Sequence, residues 1–203
     1  MKPDKRETRS TLQQIALRQA PAGSRSPGTV VGYAAVFGTY SADLGMFRER
    51  IAPGAFTKAL QSSDARALQD HDPSRLLGRQ SAGTLRLTED STGLLAEIDL
   101  PDTQTGRDVA ELIRRGDIQG QSFCFTCSQD AWEFNSETSL RTVIEIDELF
   151  DVGPVSFPAY EETSVAVRSL TDARCASDQA AQALLCALEA ERDQSRLRCM
   201  ENS

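Results

Sequence analysis

The chain has 203 residues, with 22 basic and 30 acidic side chains, a formal charge of −8, and 39% hydrophobic residues. That length leaves room for one medium domain with tails and not for two full domains, and the negative balance argues against a general nucleic-acid binder, which needs a cationic footprint. His71 is the single histidine, which excludes any mechanism that needs two imidazoles from one chain.

In chain order, residues 1–28 hold six basic side chains (Lys2, Lys5, Arg6, Arg9, Arg18, Arg25) against two acidic ones (Asp4, Glu7), a local charge of +4 that leaves −12 for the remainder. The segment is rich in Arg, Ser, Pro and Gly, which predicts a flexible basic arm, with a short amphipathic helix over Leu12–Leu17 compatible with the pattern. From Thr29 the character changes. Val30, Val31, Tyr33, Ala35 and Phe37 predict a strand, followed by a loop over residues 38–47. Ile51-Ala-Pro-Gly-Ala-Phe56 then leads into a short helix with Phe56, Ala59 and Leu60 at helical spacing. Thr84–Thr88 and Gly93–Leu100 read as a hairpin about the turn residues between them. Asp102 or Thr103 caps a helix that runs to Arg115. Its apolar face is Val109, Leu112 and Ile113, Arg114 and Arg115 suit its C-terminal dipole, and Gly116 suits the stop. Gln121–Ser128, Ala131–Phe134, Arg141–Leu149 and Val155–Phe157 are strand-like. Ala176, Ala180, Leu184, Ala187, Leu188 and Leu197 recur at three- and four-residue intervals and predict a long amphipathic helix over residues 171–200, either packed on the core or binding a partner. No apolar stretch approaches the ~18 residues of a membrane span.

The five cysteines (124, 127, 175, 186 and 199) are odd in number and irregular in spacing. With residues 1–20 charged and no secretory signal expected, they read as free thiols in a reducing compartment. Cys124-Phe-Thr-Cys127 has C-x-x-C spacing, but it sits in a strand-like run, where residues three apart face opposite ways, and no second pair or flanking histidine completes a zinc site. No metal and no cofactor is expected.

Three positions carry candidate chemistry. His71 lies among polar residues before Asp72-Pro73, and its neighbours Asp70 and Asp72 are placed to orient its ring or raise its pKa. Ser122 begins an apolar strand after a polar, Gly-containing stretch, where a hydroxyl can meet substrate while the sheet holds its backbone. It is not the Gly-x-Ser-x-Gly elbow, because Cys124 stands at the last Gly position. In Ile144-Glu-Ile-Asp-Glu-Leu149, alternation puts Glu145 and Asp147 on one face. Taken singly, each is compatible with a plain surface or strand role. Together they supply a hydroxyl, a base and an acid, the parts that nucleophilic acyl transfer requires.

The sequence resembles the HK97-type prohead proteases of tailed bacteriophages. The resemblance is carried by Val31-Gly-Tyr-Ala-Ala-Val-Phe37, Ile51-Ala-Pro-Gly-Ala-Phe56, His71-Asp-Pro with Leu77-Gly-Arg79, and Gly93-Leu-Leu with Leu100-Pro-Asp-Thr. It continues through Ile113-Arg-Arg-Gly-Asp-Ile118, Ser122-Phe with Phe125, and Leu149-Phe-Asp-Val-Gly-Pro-Val-Ser-Phe-Pro-Ala-Tyr160, in order over about residues 30–168. It implies an α+β, mostly β fold, with a β-barrel core similar to that of the herpesvirus assemblin proteases and helices around it. It implies a serine endopeptidase of capsid maturation, acting in the host cytoplasm inside the assembling procapsid. The expected substrates are scaffold or the scaffold-like arm of the major capsid protein, and the enzyme itself, with self-association possible and no membrane or direct nucleic-acid role. Ser122 and His71 take the nucleophile and base positions, with an acid as third member: Glu145 first, Asp147 second, Asp151 third. Cys124 stands where a small residue is expected and is the alternative nucleophile. The protease domain is placed at residues 29–168, between the flexible arm 1–28 and an amphipathic helical tail over 169–203. Both tails are expected to serve assembly or to be removed by self-cleavage. The rival expectation is a non-catalytic capsid-assembly or scaffold-binding protein on the same fold, and a third is a peptide-binding chaperone for the capsid subunit.

Overall fold

The computed structural model describes residues 6–11, 13–44, 46–134, 138–157 and 170–183. Among the described residues, ten strands form two sheets. In the first, β1 (Glu7–Thr11), β9 (Gly120–Glu133), β10 (Ser139–Val155), β5 (Arg66–Leu68) and β6 (Leu76–Arg79) lie side by side in that order, and β4 (Phe47–Ile51) pairs with the beginning of β10. In the second, the order is β2 (Ala16–Arg18), β3 (Thr29–Val36), β8 (Gly93–Asp99) and β7 (Leu85–Glu89), with every neighbour antiparallel. The mostly β expectation holds. Among the described residues the strands stand as two open sheets, and neither closes on itself into a barrel.

The helices are α1 (Thr57–Ser62), α2 (Gln104–Arg115) and α3, residues 170–183. Helix α2 begins and ends where its sequence dictates. The Thr103 hydroxyl accepts from the Gly106 N–H, and Gly116 closes the helix in the left-handed conformation at φ 83°. Its buried residues include Val109, Ala110 and Ile113. One apolar cluster joins Val30, Leu94 and Ile98 of the second sheet to Phe123, Phe125, Ile146 and Val152 of the first and to Ala59 and Val109 of the helices. Strands β9 and β10 are the spine of the molecule. Each spans what reads in sequence as two shorter strands, and they pair antiparallel along their length.

The N-terminal segment differs from expectation. Residues 7–11 and 16–18 are strands, with β1 paired to β9 and β2 to β3, and no helix forms over 13–17. Strand β1 has the sequence Glu-Thr-Arg-Ser-Thr, with no apolar side chain, so an apolar periodicity has nothing to detect. Charges hold it instead. Glu7 and Arg9 join Glu49 of β4, Arg141 of β10 and Asp130 of β9 in one network, with Arg141 Nη1 2.5 Å from Glu7 Oε2 and 2.8 Å from Glu49 Oε2, and Arg9 Nε 2.8 Å from Glu49 Oε1. At the other end of the chain, Leu170 of α3 packs with Leu44, Phe47 and Trp132, while residues 171–183 are exposed apart from a half-buried Ala173. The remaining apolar positions of the expected tail helix, Leu184 onward, lie outside the described residues.

Candidate active site

Ser122 sits near the start of β9, and two neighbouring strands bring its partners to it. Strand β10 runs antiparallel beside β9 with Gly153 opposite Ser122 and Asp151 opposite Cys124. Strand β5 lies parallel on the far side of β10, with Arg66 opposite Asp151 and Ala67 opposite Val152. The turn after β5 therefore rises beside the C-terminal end of β10, and it carries His71. This close lateral approach requires Gly153: a Cβ built there would lie 1.8 Å from the Leu68 carbonyl oxygen.

The turn itself is strained. Asp70 and His71 have φ of 53° and 57°, in the left-handed region that non-glycine residues seldom enter. Several bonds hold them there. The Asp70 N–H donates to the Pro154 carbonyl at 3.1 Å, and the Asp70 carboxylate accepts from the Ser156 N–H at 2.6 Å and from its hydroxyl at 3.1 Å. Asp70 thus acts through the backbone and fastens the histidine turn to the end of β10. Asp72 turns the other way and accepts from the Ser74 N–H and hydroxyl.

The result is a linear arrangement. His71 Nδ1 is 2.5 Å from Asp151 Oδ1, and His71 Nε2 is 2.7 Å from Ser122 Oγ. With the Nδ1 proton directed at the carboxylate, Nε2 presents its lone pair to the hydroxyl, the tautomer a general base requires. Ser122 is only 1% exposed. Its Oγ also lies 2.9 Å from the Arg9 carbonyl oxygen of β1, so the single hydroxyl proton has two competing acceptors.

The third member expected from sequence, Glu145, is not at this site. Its carboxylate accepts from Lys58 Nζ at 2.9 Å and from the Ser128 hydroxyl at 2.7 Å, and these bonds, that of Ser128 foremost, hold its pKa below the usual carboxylate value. Asp147 pairs with the same lysine at 2.8 Å. Asp151, the third choice, is the acid on the ring. The reason is register: β10 carries four irregularities in its pairing with β9 between Val143 and Asp151, which break the simple alternation that favoured Glu145. The segment Phe150-Asp-Val-Gly-Pro-Val155 held the usable signal, because its glycine marks the close strand approach.

Both ring nitrogens of His71 thus have oxygen partners, Asp151 Oδ1 and Ser122 Oγ. Burial pushes the Cys127 thiol up to about 11, and its Sγ donates to the Gln129 carbonyl. Neither Cys124 nor Cys127 is in a disulfide. Among the described residues no group of three or more His, Cys, Asp or Glu side chains is placed to hold a metal ion, and no helix there is long and apolar enough to cross a membrane.

A hydroxyl, an imidazole and a carboxylate in line on a mostly β scaffold have the geometry of a serine hydrolase site. The chain belongs to the caudovirus prohead serine protease family, whose model matches residues 13–176. It is thus a serine protease of the capsid-maturation type. Among solved structures, it is similar to the capsid assembly protease gp21 of bacteriophage T4, at 14% identity and a TM-score of 0.46, over 74% of this chain and 96% of that one. No curated protein matches it.

Proposed function

We propose that this protein is an endopeptidase that cleaves scaffold or the scaffold-like arm of the major capsid protein inside the assembling procapsid, with Ser122 as nucleophile, His71 as base and Asp151 as the acid that orients it. The observation that carries this reading is the His71 ring bridging Ser122 Oγ at 2.7 Å and Asp151 Oδ1 at 2.5 Å. As the Ser122 oxygen attacks the scissile carbonyl carbon, its proton passes to His71 Nε2. The Asp151 carboxylate favours the imidazolium that forms and keeps the Nδ1 proton in place. The tetrahedral intermediate collapses with cleavage of the C–N bond, and His71 returns the proton to the leaving amine. Water, deprotonated by His71, then attacks the acyl carbon, and His71 returns that proton to the Ser122 oxygen as the ester bond breaks and the acid product leaves.

The test is incubation of the purified full chain with its capsid precursor and scaffold, followed by mass spectrometry of the products and of the chain itself. Wild type is expected to cut the precursor and to trim itself. Ser122→Ala and His71→Ala are expected to do neither while keeping the wild-type circular dichroism spectrum. Wild-type cleavage by Ser122→Ala overturns the assignment. An uncut precursor that binds wild type and Ser122→Ala equally favours the assembly-protein reading.

A further inference from the structure

Strand β1 lies across the nucleophile in the manner of a bound peptide. It pairs antiparallel with β9 from Glu7 opposite Phe125 to Thr11 opposite Gln121, with Ser10 directly opposite Ser122. Adding an extended peptide to a sheet edge is a general means of holding it: main-chain bonds give affinity, and alternate side chains give specificity. Here the alternate side chains are Glu7 and Arg9, and both enter built, charged sites. Glu7 meets Arg141, and Arg9 meets Glu49, with the Arg141 and Glu49 side chains only 3% and 2% exposed. A cavity of about 370 Å³ adjoins the strand, lined in part by Arg9, Thr11, Tyr40, Glu49 and Phe123. Strand β1 also precedes residues 13–176, the span matched by the family model.

We infer that β1 occupies the place of the substrate strand, and that Glu49 and Arg141 are specificity-determining residues for a peptide with a basic side chain before the scissile bond and an acidic one two residues earlier. The inference rests on Ser122 being the nucleophile. In its own case the strand is an occupant and not a product-forming substrate. The Arg9 carbonyl presents its oxygen to the Ser122 hydroxyl as a hydrogen-bond acceptor, whereas attack needs the serine oxygen on the carbonyl carbon with the carbonyl oxygen turned toward other donors. Strand β1 brings one negative and one positive side chain to the network. An incoming strand with the same pair restores every charge partner that the departing β1 removes; one without it leaves buried Glu49 without Arg9 and buried Arg141 without Glu7, held only by each other and by Asp130.

The test uses the full-length protein and a fluorophosphonate, a small reagent that phosphonylates activated serines, with labelling rates read by intact mass. Glu7→Ala/Arg9→Ala is expected to label at least tenfold faster than wild type, because β1 no longer covers Ser122. A synthetic peptide Arg-Glu-Thr-Arg-Ser-Thr added to that variant is expected to slow labelling again, and Arg-Arg-Thr-Glu-Ser-Thr to have no effect. Equal labelling of variant and wild type, or equal action of the two peptides, overturns the inference. Native-state hydrogen exchange on wild type needs no variant. The β1 amides are expected to exchange at least tenfold faster than those of β10, and equal protection counts against a strand that yields its place. Labelling that persists after Ser122→Ala is added to the double variant refutes the nucleophile assignment itself, a failure distinct from that of the strand exchange.

Discussion

The two halves of β10 put the same chemical groups to different uses. In residues 139–148 the strand carries Arg141, buried in the ion-pair network, and Glu145 and Asp147, which share the exposed Lys58 at the surface. In residues 149–155 it carries Asp151 on the histidine ring and Gly153 against the Leu68 backbone. Both halves contain carboxylates that contact nitrogen-bearing side chains. What separates a surface acid from a site acid here is the neighbour across the sheet. Residues 139–143 lie beside β4, Glu145 and Asp147 beyond them meet Lys58 of α1, and residues 151–152 lie beside β5, whose following turn delivers the histidine. The type of side chain does not decide the role; the strand pairing does.

Neutralising one acid in each half has the largest expected effect. Asp151→Asn is expected to lower the cleavage rate by roughly 10⁴-fold, the scale on which losing the orienting carboxylate acts in Ser–His–acid sites. Glu145→Gln is expected to change it less than twofold. Steady-state cleavage of the capsid precursor, or fluorophosphonate labelling, measures both, and a larger loss for Glu145→Gln would reverse the assignment. Next in size is Arg141→Met. It leaves Glu7 and Glu49 with Arg9 as their one remaining cation in the network and is expected to cost about 3–5 kcal/mol of stability, as removing one partner of a buried ion pair does; denaturant unfolding reads it. Gly153→Ala follows, with an expected cost of about 1–3 kcal/mol from overpacking. It also separates the halves functionally. The clash is with the Leu68 backbone, three residues before His71, so labelling of Ser122 is expected to fall along with the melting temperature. The larger loss of stability from Arg141→Met is not expected to move the histidine.

Legibility in the sequence followed how each element is held. Helix α2 was readable to the residue at its C-terminus, because a hydroxyl cap, an apolar face and a terminal glycine act locally. The β7–β8 hairpin was readable because Asp90 accepts from the N–H groups of Thr92 and Gly93 within its own turn. Strands β1 and β4 were not readable, because they bury Glu7 and Glu49, and the partners that make this tolerable lie up to 134 residues away. Strands β5 and β6 have three and four residues, too few to show a period. In the site, Ser122 and His71 were accessible through the single histidine and the family-like segments. The choice among Glu145, Asp147 and Asp151 turned on register irregularities in β10 that no residue pattern announces.

The smallest expected effect concerns the first half of β10 and its hold on β1. Burial raises the Glu7 pKa, but the hydrogen bond and charge of Arg141, with the charge of Arg9, outweigh it and leave the group below its ordinary value of 4.5. A carboxylate whose folded pKa is depressed adds stability that is fully present above the unfolded value and is lost as pH falls through the folded one. Glu7→Gln keeps an oxygen for Arg141 while removing the charge, so the variant is expected to be less stable than wild type at neutral pH. The gap begins to narrow as pH drops below about 4.5 and closes once Glu7 is protonated in both states. Parallel unfolding curves between pH 7 and pH 3 measure it. A gap that stays constant over that range would mean that β1 is held by its pairing with β9 alone and that the charges of Arg141 and Glu49 do not select what lies there.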